Sequence, residues 1–391
     1  MMKQSSTDNY PKTPYYMVYE DRLVNNLEVI SHVMEEADVK IIMALKANAL
    51  WRTFPIIARY VKASTASSLN EMQLALDYLG DEVHTYCPVY TNESFPKFLE
   101  GSTHITFNST SLARKFMNQL NQYNERNHKG RKVSAGLRVN PQCSVISTDI
   151  YNPCLPGSRF GVTTEVLERE GLPDGIEGFH FHALCESSSY DLVAVLKAFE
   201  EQFGRWLSQL KWVNMGGGHL MTREGYDTDH LINILKCFKK RYPHLEVILE
   251  PGSAFTWRTG DLVTSVLDVV NNQGVDTAII DASFACHMPD CLEMPYKPTV
   301  TGEVEAKSEN AHSYRIGGNS CLSGDFVEGF NFPYPLSAGT ELVFEDMNHY
   351  TTVKTHSFNG ISHPSIWLTH SDGTQELLRE FTYKDYRDRM D

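Results

Sequence analysis

The sequence predicts a (β/α)8 barrel of the TIM type followed by an all-β domain, and three observations carry that reading. Short β-rich runs alternate with longer amphipathic stretches through roughly the first 265 residues. Eight such runs occur before the pattern stops, which suits a closed barrel better than a doubly wound sheet. Beyond about Leu262, long helical patterns give way to β-rich pieces separated by turn residues such as Gly317-Gly318-Asn319 and Asn359-Gly360.

Taken in order, Tyr15–Tyr19 reads as a strand expected to pair into the later β domain, and Asp21 to Glu36 reads as a helix. The barrel strands follow at Val39–Leu45, Ala63–Ala66, Glu82–Tyr86, His104–Phe107, Lys132–Val139, Ile176–His182, Trp212–Met215 and Glu246–Leu249. Helical periodicity is clearest at Leu69–Leu79, Ser111–Tyr123, Tyr190–Leu210 and Thr228–Arg241. The β domain is expected to use Leu262–Val270, Thr277–Ile280, Thr299–Val304, Tyr314–Ile316, Glu341–Phe344, Tyr350–Thr355 and Ile366–Thr369. The organisation is therefore a barrel over 21–262, with 1–20 plus 263–391 forming a β-sandwich or β-barrel domain.

Charge narrows the partners. The chain carries 35 Lys and Arg against 49 Asp and Glu, a net charge of −14. That balance argues against nucleic acid or an anionic membrane as the main partner; it suits a cationic small molecule, and equally an ordinary soluble enzyme that is simply acidic. The eight cysteines are scattered without a CxxC pair, which fits reduced thiols rather than a zinc ribbon or disulfide framework. The polar start MMKQSSTDNYPKTP has no signal-type apolar core, and no apolar run approaches the ~20 residues needed to span a bilayer. A cytoplasmic location is expected.

A barrel concentrates its chemistry at the carboxyl ends of its strands. Strand 1 runs into Lys46, either a surface charge or, once desolvated, an amine able to form a Schiff base. Strand 5 ends with Arg138 at the mouth. Strand 6 ends His180-Phe181-His182, and alternation sends both histidines to one face. That pair reads as zinc ligands, as one ring-stacking histidine, or as satisfied core residues. Metal is disfavoured because later strands offer glycines and a glutamate rather than further ligands. Strand 7 runs into Gly216-Gly217-Gly218, whose backbone can close on an anion, and strand 8 ends at Glu250. A lysine, a phosphate cradle, a stacking ring and a carboxylate around one mouth form the set that pyridoxal 5′-phosphate requires.

With these residues in place, the sequence resembles the fold-type III pyridoxal-phosphate decarboxylases, the group of ornithine, arginine and diaminopimelate decarboxylases that shares its barrel with alanine racemase. The resemblance covers nearly the whole chain. It implies Lys46 as the Schiff-base lysine, His182 stacked on the ring, Gly216, Gly217 and Gly218 on the phosphate, and Glu250 at the pyridine nitrogen, with Arg138 beside them. Cys321 and Asp325 in Ser320-Cys321-Leu322-Ser323-Gly324-Asp325 resemble the family's substrate loop. Tyr350 resembles its phosphate-binding tyrosine, and Phe358-Asn359-Gly360 follows at the family spacing.

Two departures narrow the subgroup. Ser253, not arginine, follows Glu250-Pro251-Gly252, and the residues after His182 are Ala183-Leu184-Cys185. Both match the carboxynorspermidine decarboxylase subgroup, as does the segment from Asp281 to Tyr296. The resemblance thus implies decarboxylation of carboxynorspermidine, and of carboxyspermidine, in polyamine biosynthesis. Cys321 and Lys46 are the candidate proton donors. Asp281, Asp290, Glu293 and Asp325 are the candidate carboxylates for the distal amines, with Phe358 nearby, because a buried ammonium needs a partner. No metal is expected. The family further implies a homodimer with shared sites, the Cys321 loop coming from the partner subunit. The rivals are a diaminopimelate or other basic amino-acid decarboxylase, a racemase, and a non-catalytic cofactor carrier or decoy regulator.

Overall fold

The computed structural model describes residues 11–127, 130–146 and 148–391, so residues 1–10 of the expected β domain lie outside the described residues. The chain divides into two compact units, Val24–Phe255 and a discontinuous unit ending at Leu23 and resuming at Thr256–Asp391. Sequence reading put these divisions at 20/21 and 262/263. The helix Glu20–Ala37 runs across the first of them, which is why no local signal marks it.

Strand β1 (Tyr15–Tyr19) belongs to the discontinuous unit. The other unit is built on β2 (Lys40–Ile41), β3 (Met43–Ala44), β4 (Ala63–Ala66), β5 (Glu82–Tyr86), β6 (His104–Phe107), β7 (Ser134–Arg138), β8 (Gly178–His180), β9 (Trp212–Asn214) and β10 (Glu246–Leu249). They form one parallel sheet in the order β2-β10-β9-β8-β7-β6-β5-β4-β3. β2 and β3 are halves of a single stretch interrupted at Ile42. Ile41 pairs with Leu249 on one side while Met43 pairs with Ser64 on the other, so the sheet closes on itself as the expected eight-stranded barrel.

Two packing relationships explain how the mouth is oriented. Trp212 lies across the neighbouring strands, where a Cβ at Gly136 or Gly178 would come within 2.3 and 2.0 Å of its indole. Only glycine leaves room for that ring, and its Nε1–H donates to Ser134 Oγ at 2.9 Å. On the outside, the helix Ser189–Leu207 starts from a Ser188/Asp191 capping box and buries Leu192, Val195, Leu196, Phe199, Phe203 and Leu207 along one face. Phe181 packs on Phe199 with ring centroids 4.5 Å apart, and Phe179 meets Phe203 at 5.9 Å. Each buried phenyl group contributes about 1.5–3 kcal/mol. With Phe179 and Phe181 fixed outward, alternation turns His180 and His182 inward.

The discontinuous unit is a single eight-stranded mixed sheet. It adds β11 (Gly260–Asn272), β12 (Val275–Ile280), β13 (His312–Gly317), β14 (Phe326–Phe332), β15 (Glu341–Phe344), β16 (Ser365–Thr369) and β17 (Gln375–Arg379). β1 pairs antiparallel with β11 and parallel with β16, as its strand pattern led one to expect. The first half of β11 pairs with β1 and β15 and its second half with β12, the change falling at a bulge between Val266 and Asp268. Leu262, Ala278, Ile316, Phe330 and Phe344 lie in its apolar core.

Two expected strands are corrected, and two observed strands were not expected. Tyr350–Thr355 is not a strand; Thr351–Lys354 forms a helical turn, and Thr352 Oγ1 donates to the Asn348 carbonyl at 3.0 Å, a local bond that competes with a strand ladder. Thr299–Val304 makes only an isolated bridge, Val300 to Phe344, because Gly302 turns the chain at φ +81°. The sequence reading passed over β14, whose alternation breaks where Ile316 faces Val327 but Tyr314 faces Phe330, one residue extra. It also missed β17, a polar strand at the end of the sheet order. Among the described residues no helix is long and apolar enough to cross a membrane.

Candidate active site

β7, β8 and β9 pair in register so that Arg138, His180 and Asn214 stand at one level across the barrel mouth. Glu250 follows β10, and Lys46 lies two residues beyond β3. Lys46, Arg138, His180, His182 and Glu250 line one cavity of about 700 Å³, together with Tyr86 and the segment from Asp149 to Phe160.

Lys46 is exposed by surface area, but that surface opens into the cavity, where surrounding protein strips water from the ammonium. Burial lowers its pKa from 10.5; the Glu250 carboxylate opposes the shift and the Arg138 guanidinium adds to it. The free amine is favoured relative to a lysine in water. Glu250 is half-buried, and its Oε1 accepts from Asn214 Nδ2 at 2.6 Å. The Asn214 side-chain oxygen in turn accepts from the Gly216 amide at 2.9 Å.

His182 Nδ1 accepts from the Gly217 amide at 2.9 Å. Burial, then the charges of Lys46 and Arg138, push its pKa well below 6.5. The ring is therefore neutral with its proton on Nε2. Arg138 is 5% exposed, with its guanidinium carbon 4.6 Å from the ring centroids of both Tyr86 and Phe160. Among the described residues it has no ion-pair partner. A buried cation held beside two rings and facing a cavity has the chemistry to take an anion.

The glycine triplet behaves differently from expectation. Gly216 and Gly218 have φ of +69° and +87°. A Cβ would lie 2.4 Å from the Phe181 carbonyl oxygen at Gly216, 2.5 Å from that of Glu250 at Gly217, and 2.2 Å from the Leu184 carbonyl at Gly218. Glycine is required because this loop threads between the ends of two neighbouring strands. Two of its amides are already used, on Asn214 and His182. Among the described residues only the Gly218 N–H has no partner, so the expected three-amide phosphate cradle narrows to one, and the other two orient side chains.

In the sheet unit, the Cys321 amide donates to Asn359 Oδ1 at 2.8 Å, which ties the two expected motif segments together. Cys321 and Phe358 are both exposed. Tyr350 is half-buried, takes φ +55°, and caps the Thr351–Lys354 turn. The acids named as candidates for the distal amines all have partners within this unit. Asp325 is buried and accepts from Ser283 Oγ (2.8 Å), the Ala285 amide (2.9 Å), and the Ser320 amide and hydroxyl (3.3 and 2.5 Å). Three of those bonds converge on Oδ2 and one on Oδ1, and together they make it a buckle for the Ser320–Asp325 loop. Asp290 and Glu293 are both ion-paired with Lys354, Glu293 at 2.5 Å. Asp281 accepts from the Ser265 amide at 2.9 Å, and burial raises its pKa.

Sequence reasoning missed Asn214, Tyr86 and Phe160. Asn214 carried a usable signal, a polar side chain at the end of an apolar strand; Tyr86 and Phe160 carried none. The one cluster of three metal-ligating side chains among the described residues, Glu82, His84 and His104, does not line this cavity. Lys40 pairs with Glu82 at 2.6 Å there, and the two imidazoles stack with ring centroids 3.8 Å apart.

Residues 16–348 match the family model described as pyridoxal-dependent decarboxylase, C-terminal sheet domain. A carboxyaminopropylagmatine decarboxylase of Synechocystis sp. is 44% identical, covering 97% of this chain and 95% of its own length. A carboxynorspermidine/carboxyspermidine decarboxylase of Campylobacter jejuni is 41% identical over 96% of this chain and 97% of its own. The crystal structure of carboxynorspermidine decarboxylase complexed with norspermidine, also from Campylobacter jejuni, superposes with a TM-score of 0.86 at 39% identity, covering 97% of this chain and 100% of that one. The diaminopimelate decarboxylase of Helicobacter pylori shares the fold, with a TM-score of 0.80 at 18% identity over 97% of each chain.

Proposed function

This chain belongs to the pyridoxal-dependent decarboxylase family, and on that premise we propose that it removes CO2 from carboxynorspermidine, and from carboxyspermidine, to release norspermidine and spermidine. The observation that carries the reading is the pairing of a desolvated lysine, Lys46, with an Asn214-held carboxylate, Glu250, around one cavity.

The residues fit pyridoxal 5′-phosphate. Lys46 offers an amine for its aldehyde, Arg138 and the Gly218 amide offer donors for an anion, and His182 offers a neutral ring. Glu250 has one oxygen, Oε2, outside any hydrogen bond. When bound, the cofactor supplies a sink for the electron pair left on Cα as the carboxylate departs. The chain's own residues do the rest. Glu250 would hold the ring nitrogen through its carboxylate, where an arginine would disfavour a proton on that nitrogen, and that difference would favour decarboxylation over racemisation. Arg138 draws in and orients the anionic end of a ligand. Lys46 would hold a proton at Nζ for delivery to Cα. A second copy is the expected source of Cys321 as the other proton donor, in a homodimer with shared sites.

One observation favours a second reading. The 44% identical relative is named for carboxyaminopropylagmatine, which carries the same α-amino-acid head on a guanidinium-tipped tail. Measuring CO2 release and product identity with carboxynorspermidine, carboxyspermidine, carboxyaminopropylagmatine and diaminopimelate side by side tests the proposal. It predicts the highest kcat/KM for the first two. A clear preference for the guanidinium tail would move the assignment to the second reading, and turnover of diaminopimelate alone would refute both.

A further inference from the structure

His180 is 3% exposed, lines the cavity, and among the described residues has no hydrogen-bond partner at either ring nitrogen. A buried imidazole in that state is costly and calls for a reason. Its Nε2 lies 3.6 Å from Glu250 Oε2, too far for a hydrogen bond and close enough to become one. Glu250 is anchored only through Oε1, by Asn214, and the final torsion of a glutamate is soft. A small rotation about that anchor closes the gap.

We propose that His180 is a positioning residue for Glu250, donating from Nε2 to Oε2 so that Asn214 and His180 hold the carboxylate from two sides. This deepens the proposed function and rests on it. Two neutral donors fix the carboxylate without cancelling its charge, which then remains whole for the ring nitrogen. The surroundings keep His180 neutral. It faces Arg138 on β7 and Lys46 beyond β3, with His84 and Tyr86 on β5 and Glu250 beyond β10, and burial followed by the positive groups lowers its pKa well below 6.5. A protonated His180 would instead form an ion pair that competes with the ligand for Glu250.

The test uses the holoenzyme of His180→Leu, which removes the donor, and His180→Gln, which can return one near the Nε2 position. Two readouts are needed: the pH titration of the bound cofactor's visible absorbance, and kcat separated from KM. His180→Leu should displace the spectral titration and lower kcat by about tenfold or more with little change in KM, the scale on which partners of ligating groups act. His180→Gln should recover most of both. In a Glu250→Gln background, His180→Leu should add little, because the two act as one unit. A wild-type titration and kcat in His180→Leu, or fully additive losses with Glu250→Gln, would overturn the proposal. Should His180→Leu fail to fold, a His180→Gln enzyme whose spectral titration differs from wild type overturns it, and one that matches supports it. The titration is read without substrate, so a failed substrate assignment leaves it interpretable.

Discussion

The backbone amide of Gly217 donates to Nδ1 of His182 at 2.9 Å. The ring can take no proton at Nδ1 without losing that bond, so its proton stays on Nε2 and its plane is fixed from behind. The glycine triplet therefore orients His182. Gly217→Ala would place a methyl group 2.5 Å from the Glu250 carbonyl oxygen. Overpacking of this kind costs about 1–3 kcal/mol. Urea unfolding should show a loss on that scale, and cofactor affinity should fall with it. Unchanged stability and affinity would mean that the loop tolerates the methyl group and does not set His182.

Lys46 should carry the cofactor. Borohydride treatment of the purified protein should fix it covalently, and peptide mapping should find the label on Lys46 and lose it in Lys46→Ala. A label on another lysine would reassign the whole mouth.

His219 sets an acid-side dependence. Burial lowers its pKa from 6.5 to about 4. Above pH 6.5 it is neutral whether folded or not. Between 6.5 and about 4 the unfolded chain takes up a proton that the folded one refuses, so stability falls as pH falls. The slope from this group is up to about 1.4 kcal/mol per pH unit. His219→Gln should flatten the stability profile between pH 6.5 and 4 relative to wild type in paired denaturation curves. Equal slopes would show that the imidazole titrates normally.

Subunit mixing addresses the shared site. Lys46→Ala and Cys321→Ala proteins, each nearly inactive, should recover up to about a quarter of wild-type activity if exchange is random and each site draws on both copies. Demonstrated exchange without recovery would place Cys321 with its own chain's Lys46 or outside catalysis.

Much of this was legible in the sequence, and the limits are physical. The barrel strands were readable because β-rich runs recur with helices between them, and Lys46, Arg138, His182 and Glu250 because each ends or follows such a run. β14 was not, because a bulge breaks its alternation, and β17 was not, because a strand with polar, exposed ends carries little apolar signal. The acids of the sheet unit show a different limit. Composition identifies carboxylates but not their partners, and only coordinates reveal that Lys354 and the Ser320–Asp325 loop already occupy three of them. The Gly216 and Gly217 amides were misjudged for the same reason.

The central claim is that Lys46 and Glu250 direct loss of CO2 rather than exchange at Cα. The most direct test is turnover of carboxynorspermidine in deuterium oxide, with mass spectrometry of product and recovered substrate. The account predicts norspermidine carrying one carbon-bound deuterium, with a rate lowered by roughly 10²–10³-fold in Glu250→Gln, the scale for removing an electrostatic partner in a water-excluded site. Deuterium appearing at Cα of intact carboxynorspermidine, with no CO2 released, would contradict it.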